Sequence, residues 1–272
     1  MGVRDALKDK KRIVIKIGST SLFHRETQSH DLLKIEKLVR IIADLSNQGK
    51  DVVLVSSGAI ATGRNKMGLL SRDLSLPEKQ ACAAIGQAML ITLYQRLFFE
   101  YGKSAAQILI TRYTIGTART RYNAENTFNE LFKLKAIPIV NENDTVTTKE
   151  IKFGDNDVLS AMVAVLADAD LLINMSDIDG LYDDNPRENE NARLISYVEN
   201  LDESIWNMGK GSSSIYGSGG MSTKLEAADI AIHSGIDMVI TNAADVENIV
   251  RVMSGENTGT YFKAASKKTF RF

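Results

Sequence analysis

Cysteine occurs once in the chain, as Cys82 between alanines at 81, 83 and 84. One thiol excludes a disulfide framework and a cysteine-based metal site, and its default role is that of a small buried hydrophobe. The three histidines, His24, His30 and His233, are scattered and match no zinc spacing. Charge of either sign is not in excess: the formal net charge is -1, which removes any global electrostatic case for a nucleic-acid or acidic-membrane partner. No uninterrupted apolar stretch approaches a membrane span. The N-terminal residues alternate charges without an apolar run, so no signal peptide is expected, and a soluble, cytoplasmic protein is the default expectation. Lys263, Lys267, Lys268 and Arg271 near the C-terminus read as a solvated polar tail.

What is present is ordinary globular composition, 44% hydrophobic and 25% charged over 272 residues, enough to bury a large core without staples. Residues 12–17 read as a strand with β-branched Ile13, Val14 and Ile15. From 31 to 48, Leu32, Ile35, Leu38, Val39, Ile42 and Leu45 recur at helical spacing, and Gly49 stops that helix. Residues 51–55 form an apolar strand, expected to be buried on both faces. Ser75 and Glu78 make a capping box, with Pro77 in the first turn of a helix running to about Phe99.

Strands are expected at 105–110 and 137–140, with a helix at 124–135 between them. A short β-rich excursion at 146–153, a helix at 158–166 and a strand at 171–175 follow. The stretch 179–220 is the least regular, with a turn at Asn185-Pro186 and a Gly/Ser-rich segment at 209–220. A helix at 222–235, a strand at 238–240 and a helix at 246–253 close the pattern. Alternating strand and helix predicts an α/β fold with a mostly parallel sheet covered on both faces. The expected organisation is a polar extension at 1–11, one domain at 12–262 and a basic tail at 263–272.

Ligands of open α/β sheets bind beyond the carboxyl ends of the strands. At those ends stand Lys16, Gly18 and Ser19; Ser57 and Gly58; Asn141, Asn143 and Asp144; and Ser176 and Asp177. Glycine turns let backbone N–H groups approach an anion, and the helix that follows adds its dipole. Lys16 on its strand alone reads first as a lysine snorkelling from an edge; the adjoining glycine turns reverse that preference in favour of a functional role.

A second glycine cluster, Gly217-Ser218-Gly219-Gly220-Met221-Ser222-Thr223-Lys224, precedes an apolar-periodic helix. It is either a flexible loop capped by Ser222 or Thr223 or a phosphate cradle with Lys224 aimed at a polyphosphate. It is not a Walker A loop, because the Gly-Lys-Ser/Thr order is absent, and the protein-kinase signature set is missing too. Asp157 is either a helix cap or a carboxylate that holds two active-site lysines in position; Asp177 is a turn residue or a nucleotide contact. No His or Cys stands as an evident base or nucleophile. A carboxylate acceptor needs none, being ionised near neutral pH; the obstacle is an anion attacking a polyanion, which lysines, helix N-termini and Mg²⁺ offset.

Lys16-Ile17-Gly18-Ser19, Val55-Ser56-Ser57-Gly58-Ala59-Ile60, Val140-Asn141-Glu142-Asn143-Asp144, Gly154-Asp155-Asn156-Asp157 and Gly219-Gly220-Met221-Ser222-Thr223-Lys224 together closely resemble the amino-acid kinase family, in its glutamate-phosphorylating branch, over about 12–262. The resemblance implies a three-layer αβα sandwich with a central, mostly parallel sheet. It implies ATP-dependent phosphorylation of the γ-carboxylate of L-glutamate to L-glutamyl 5-phosphate, the first step of proline biosynthesis. By that likeness Lys16 and Lys224 stabilise the transferring group, Asp157 orients them, and Gly18 and Gly58 offer backbone N–H groups. Ser57, Asn141, Asp144 and Asn156 would hold glutamate. Lys16, Ser176, Asp177, Ser218, Gly219, Gly220, Met221, Ser222, Thr223 and Lys224 would hold ATP.

Mg²⁺ is expected on the ATP phosphates and water, with no metal ligand from the protein. An acid such as Asp144 suits the α-ammonium of free glutamate, where a nucleoside-monophosphate kinase would want arginines. Proline as feedback inhibitor, a homo-oligomer (dimer or tetramer) and functional coupling to glutamyl-phosphate reductase are further implications. The C-terminal PUA-type domain of many members is not expected after Phe272. The alternatives are another carboxylate or carbamate kinase of the same fold, such as one acting on acetylglutamate, and a non-catalytic amino-acid or nucleotide sensor. Both lysines and Asp157 argue against the sensor, which needs no transition-state stabilisation.

Overall fold

A computed structural model describes residues 2–147, 156–186, 188–209, 220–266 and 270. In chain order the regular elements are β1 (Arg12–Ile17), α1 (Ser19–Leu22), α2 (Leu32–Asn47), β2 (Asp51–Ser56), α3 (Ala59–Lys66), α4 (Leu76–Glu100), β3 (Ala105–Ile110), α5 (Arg112–Gly116), α6 (Ala118–Lys133) and β4 (Ile137–Glu142). After them come α7 (Asn156–Leu166), β5 (Leu171–Ser176), β6 (Tyr197–Val198), α8 (Glu203–Gly209), α9 (Met221–His233), β7 (Asp237–Asn242), α10 (Asn248–Met253) and β8 (Thr260–Phe262). The chain divides into two compact units: Ile17–Phe153, and a second assembled from Met1–Lys16 and Gly154–Phe272.

In the unit Ile17–Phe153 the strands run in the order β3-β4-β2 and both pairings are parallel, with Ile139 opposite Leu54 on one side and Gln107 on the other. Local signals operate. The Asp31 carboxylate accepts from Lys34 N and caps α2, a cap not among the expectations. The Ser75/Glu78 capping box opens α4, and every residue of β2 after Asp51 is buried. Helices α3 and α4 cross very closely. A Cβ on Gly63 would fall 1.9 Å from the Cys82 carbonyl oxygen and one on Gly86 1.8 Å from that of Ala59, so neither position admits a side chain.

Cys82 lies buried in that crossing, in keeping with its expected role. Tyr94 and Phe98 of α4 are wholly buried, and the Tyr94 hydroxyl meets Ser56 Oγ at 2.8 Å. By length and composition α4 is apolar enough to cross a membrane, although Gln80 and Gln87 interrupt its apolar run. Helix α6 starts at Ala118, six residues ahead of the expected 124. Thr117 caps it through Thr120 N, and its first turns are polar and solvent-facing, which hid them from an apolar-periodicity reading.

In the other unit the strand order is β1-β5-β7-β8-β6. Strands β5 and β7 are parallel, from Leu171 opposite Asp237 to Ser176 opposite Asn242; β8 runs antiparallel to β7 and parallel to β6. The two short strands β6 and β8 were not expected: at two and three residues they carry too little pattern to register. Helix α8 likewise occupies part of the stretch read as irregular.

The polar N-terminal extension is built into this unit through Arg4. Its buried guanidinium donates to the carbonyls of Ser196, Thr258 and Gly259 and lies 5.8 Å from the Tyr261 ring centroid. Of the β-rich excursion, 148–153 lies outside the described residues, as do 210–219 of the Gly/Ser-rich segment and Lys267, Lys268 and Arg271 of the tail.

Candidate active site

Strand β1 alternates Ile13, Ile15 and Ile17 with Val14 and Lys16, so period-two geometry puts Lys16 on the face of Val14. Lys16 is 5% exposed, and its Nζ donates to Asp157 Oδ1 at 2.5 Å. Lys224, in the first turns of α9 and also 5% exposed, donates from Nζ to Asp157 Oδ2 at 3.0 Å. Each carboxylate oxygen has a second, neutral donor nearby. Asn174 Nδ2 of β5 reaches Oδ1 at 2.9 Å. Thr223 Oγ1 of α9 lies 3.3 Å from Oδ2 and 2.9 Å from the Gly220 carbonyl, which share its one proton.

Asp157 is wholly buried. It lies inside the first turn of α7 with its carboxylate committed to lysines, so the reading of it as a plain cap does not hold. Burial pushes its carboxyl up. The charges of Lys16 and Lys224, together with the hydrogen bonds from Lys16 and Asn174, more than reverse that and hold it well below the usual carboxylate range. The cluster therefore keeps one carboxylate and two ammonium groups away from water, a formal excess of one positive charge. Such an excess in a desolvated place is strongly attractive to an anion.

Around the cluster, Gly220 is the N-cap of α9, in extended conformation and without a side-chain cap bond. The alternative of Ser222 or Thr223 as cap is thereby corrected: both lie within the helix. Ser176, buried at the end of β5, donates from Oγ to Asp177 Oδ1 at 3.2 Å, and Asp177 is exposed. Asn156 opens α7 and is half-buried. Ser218 and Gly219, and Gly154 and Asp155 of the other motif, lie outside the described residues.

The remaining predicted residues belong to the unit Ile17–Phe153. Gly18 is the N-cap of α1. Ser57 N donates to Ile17 O at 3.2 Å, which sets the two turns side by side. Gly58 has φ +110°, and a Cβ there would come 3.0 Å from the Phe23 ring, so this turn requires glycine twice over. Asn141 is buried and donates from Nδ2 to Gln87 Oε1 at 2.9 Å, tying β4 to α4. Asp144 is half-buried in the turn that follows β4.

Sequence reasoning missed Asn174, although a lone amide in the run Leu171-Leu172-Ile173-Asn174-Met175 was a visible signal. It also missed the support beneath the Gly58 turn. There His30 Nε2 meets Thr62 Oγ1 at 3.0 Å, and Thr62 Oγ1 lies 2.8 Å from the Gly58 carbonyl.

The arrangement suits anion handling, with two convergent cations and a helix N-terminus. Among the described residues no group of three or more His, Cys, Asp or Glu side chains is placed to hold a metal, and both oxygens of Asp157 are occupied by lysines and their neutral companions.

Residues 11–242 match the model of the amino acid kinase family. The chain is 49% identical over 269 residues to "Glutamate 5-kinase" of Carboxydothermus hydrogenoformans, covering 99% of this chain and 72% of that protein. It is 50% identical over 261 residues to "Glutamate 5-kinase" of Clostridium acetobutylicum, covering 96% and 97%. Among solved structures, carbamate kinase from Giardia lamblia bound to AMP-PNP superposes with a TM-score of 0.65 at 14% identity, over 95% of this chain and all of that one; at that identity the likeness concerns the fold alone.

Proposed function

The chain belongs to the amino acid kinase family, and from that premise we propose that it transfers the γ-phosphoryl group of ATP to the γ-carboxylate of L-glutamate, giving L-glutamyl 5-phosphate and ADP. One observation carries the reading: the ammonium groups of Lys16 and Lys224, remote in sequence, share the buried carboxylate of Asp157. A carboxylate attacking the terminal phosphorus of ATP, with the phosphoanhydride bond to ADP breaking, must overcome repulsion between anions, and little else is asked of the protein. Two preorganised cations act most strongly where water is excluded. Asp157 keeps them close together, offsetting their mutual repulsion without neutralising both.

The roles assigned to the other residues follow their chemistry. Ser57, Asp144 and Asn156 hold glutamate, with Asp144 toward its α-ammonium. Gly18 and Gly58 present backbone N–H groups to the transferred group. Ser176, Asp177 and the start of α9 with the segment before it hold the nucleotide. The donor set fits a polyphosphate, and among the described residues no carboxylate cage is present; Mg²⁺, which usually keeps phosphate oxygens and waters as ligands, would supply further neutralisation of phosphate charge when bound.

Incubation with MgATP and hydroxylamine tests the reading, because hydroxylamine traps an acyl phosphate as the hydroxamate. Hydroxamate is expected with L-glutamate and not with N-acetylglutamate or aspartate. Product from N-acetylglutamate but not from glutamate would overturn the substrate, and no product from any of the three would overturn the reaction class.

A further inference from the structure

Asn174 is wholly buried in β5 among Leu172, Ile173 and Met175, which are equally buried. Its Nδ2 donates to Asp157 Oδ1 at 2.9 Å, while its own Oδ1 is buried and, among the described residues, without a hydrogen-bond partner. The orientation of the amide is fixed by this: the flipped form would press an amide oxygen against a carboxylate. An unsatisfied acceptor in an apolar core costs folding free energy, and an aliphatic side chain of the same size would avoid that cost. What Asn174 gives in exchange is one N–H aimed at Asp157.

The geometry around Asp157 says what that N–H is for. Each carboxylate oxygen receives one lysine and lies near one neutral donor rooted in a strand or helix: Lys16 and Asn174 at Oδ1, Lys224 and Thr223 at Oδ2. A lysine ammonium sits on a flexible four-carbon stem and has three N–H donors, so serving a transferred phosphoryl group means shifting on that stem to divide those donors between the group and Asp157. A short amide anchored in the middle of a strand does not move with it.

We propose that Asn174 is a positioning residue that keeps the Asp157 carboxylate in place while Lys16 turns to the transferred group. This rests on the kinase reading above.

The test is Asn174→Leu, which removes the donor and the orphaned acceptor with little change of volume. The expected result is a fall in kcat of roughly tenfold, the size of one lost net hydrogen bond. Half-saturating ATP and glutamate should stay within about twofold, and Tm should be unchanged or higher. An unchanged kcat would overturn the proposal, and so would a kcat loss accompanied by a lower Tm, the signature of a merely structural amide. If the leucine variant does not fold, Asn174→Thr and Asn174→Val serve instead, being matched in shape and differing in the donor: threonine should exceed valine in kcat, and equal rates would overturn the proposal. Side-chain nitrogen NMR of labelled lysines reads the same point without turnover. The Lys16 ammonium signal should shift or broaden in Asn174→Leu while surface lysines hold still, and an unmoved signal counts against the proposal. A wild type that makes no hydroxamate would sink the kinase reading and leave this NMR result to stand or fall by itself.

Discussion

The two units differ in how much charge they bury. Among the described residues, the unit made of Met1–Lys16 and Gly154–Phe272 buries Lys16, Asp157, Lys224, Arg4 and Asp237 beside neutral groups such as Ser160, Asn174 and Thr241. The unit Ile17–Phe153 buries mostly neutral ones, Ser56, Thr62, Gln87, Asn141 and Thr147, with Glu142 as the exception. Buried charge is expensive and persists where it is paired and used; buried amides and hydroxyls chiefly fix shape. On the proposed reading, the unit with more buried charge supplies electrostatic force to the reaction, while the other contributes chiefly form, with Ser57 and Asp144 on its turns.

Substitutions can break or sharpen that contrast. The largest effect is expected at the lysines: Lys16→Ala and Lys224→Ala should each lower kcat about a hundredfold or more, as for loss of one preorganised donor, by hydroxamate assay. Normal turnover by either would cancel its assigned role. Next, Arg4→Ala should lower stability by about 2–3 kcal/mol in urea titration, because several carbonyls lose a buried charged donor; a change of a few tenths would mean that this buried charge carries no weight.

On the other unit, Asp144→Asn should raise half-saturating glutamate about tenfold while leaving the ATP requirement alone, and a change in the ATP requirement instead would erase the division of labour. The smallest effect concerns His30, whose ring burial pushes below its ordinary pKa of 6.5. The unfolded chain therefore takes up the proton first, so stability is lost as pH falls through that value. Tm measured from neutral pH to pH ~5 should decline less steeply in His30→Gln than in the wild type; parallel slopes would remove His30 from the account.

Much of this was legible in the sequence where the signal is local. The β1 strand, the Ser75 capping box and the glycine turns are decided by neighbours within a few residues. Lys16 and Asp157 were both singled out, yet their pairing spans 141 positions, which no periodicity reports. Family likeness linked them. Asn174 escaped because one polar residue in an apolar strand does not disturb a strand assignment, and its meaning comes from a helix that begins before it in the chain. Strands β6 and β8 exist only as partners of each other and of β7, so their own few residues could not announce them.

The unit that holds Asp157 is discontinuous in the chain, opened by Met1–Lys16 and resumed at Gly154. During synthesis Lys16 leaves the ribosome early and its carboxylate partner roughly ten seconds or more later, at ordinary elongation rates. Lys224 follows later still. Until then the intervening segment has all of its own strands in hand and can condense first, whereas β1 has no strand of its own unit beside it. A nascent chain halted before Asp157 holds all of β2, β3 and β4 but neither that carboxylate nor Lys224, so the charge cluster can close only once residue 224 has been made.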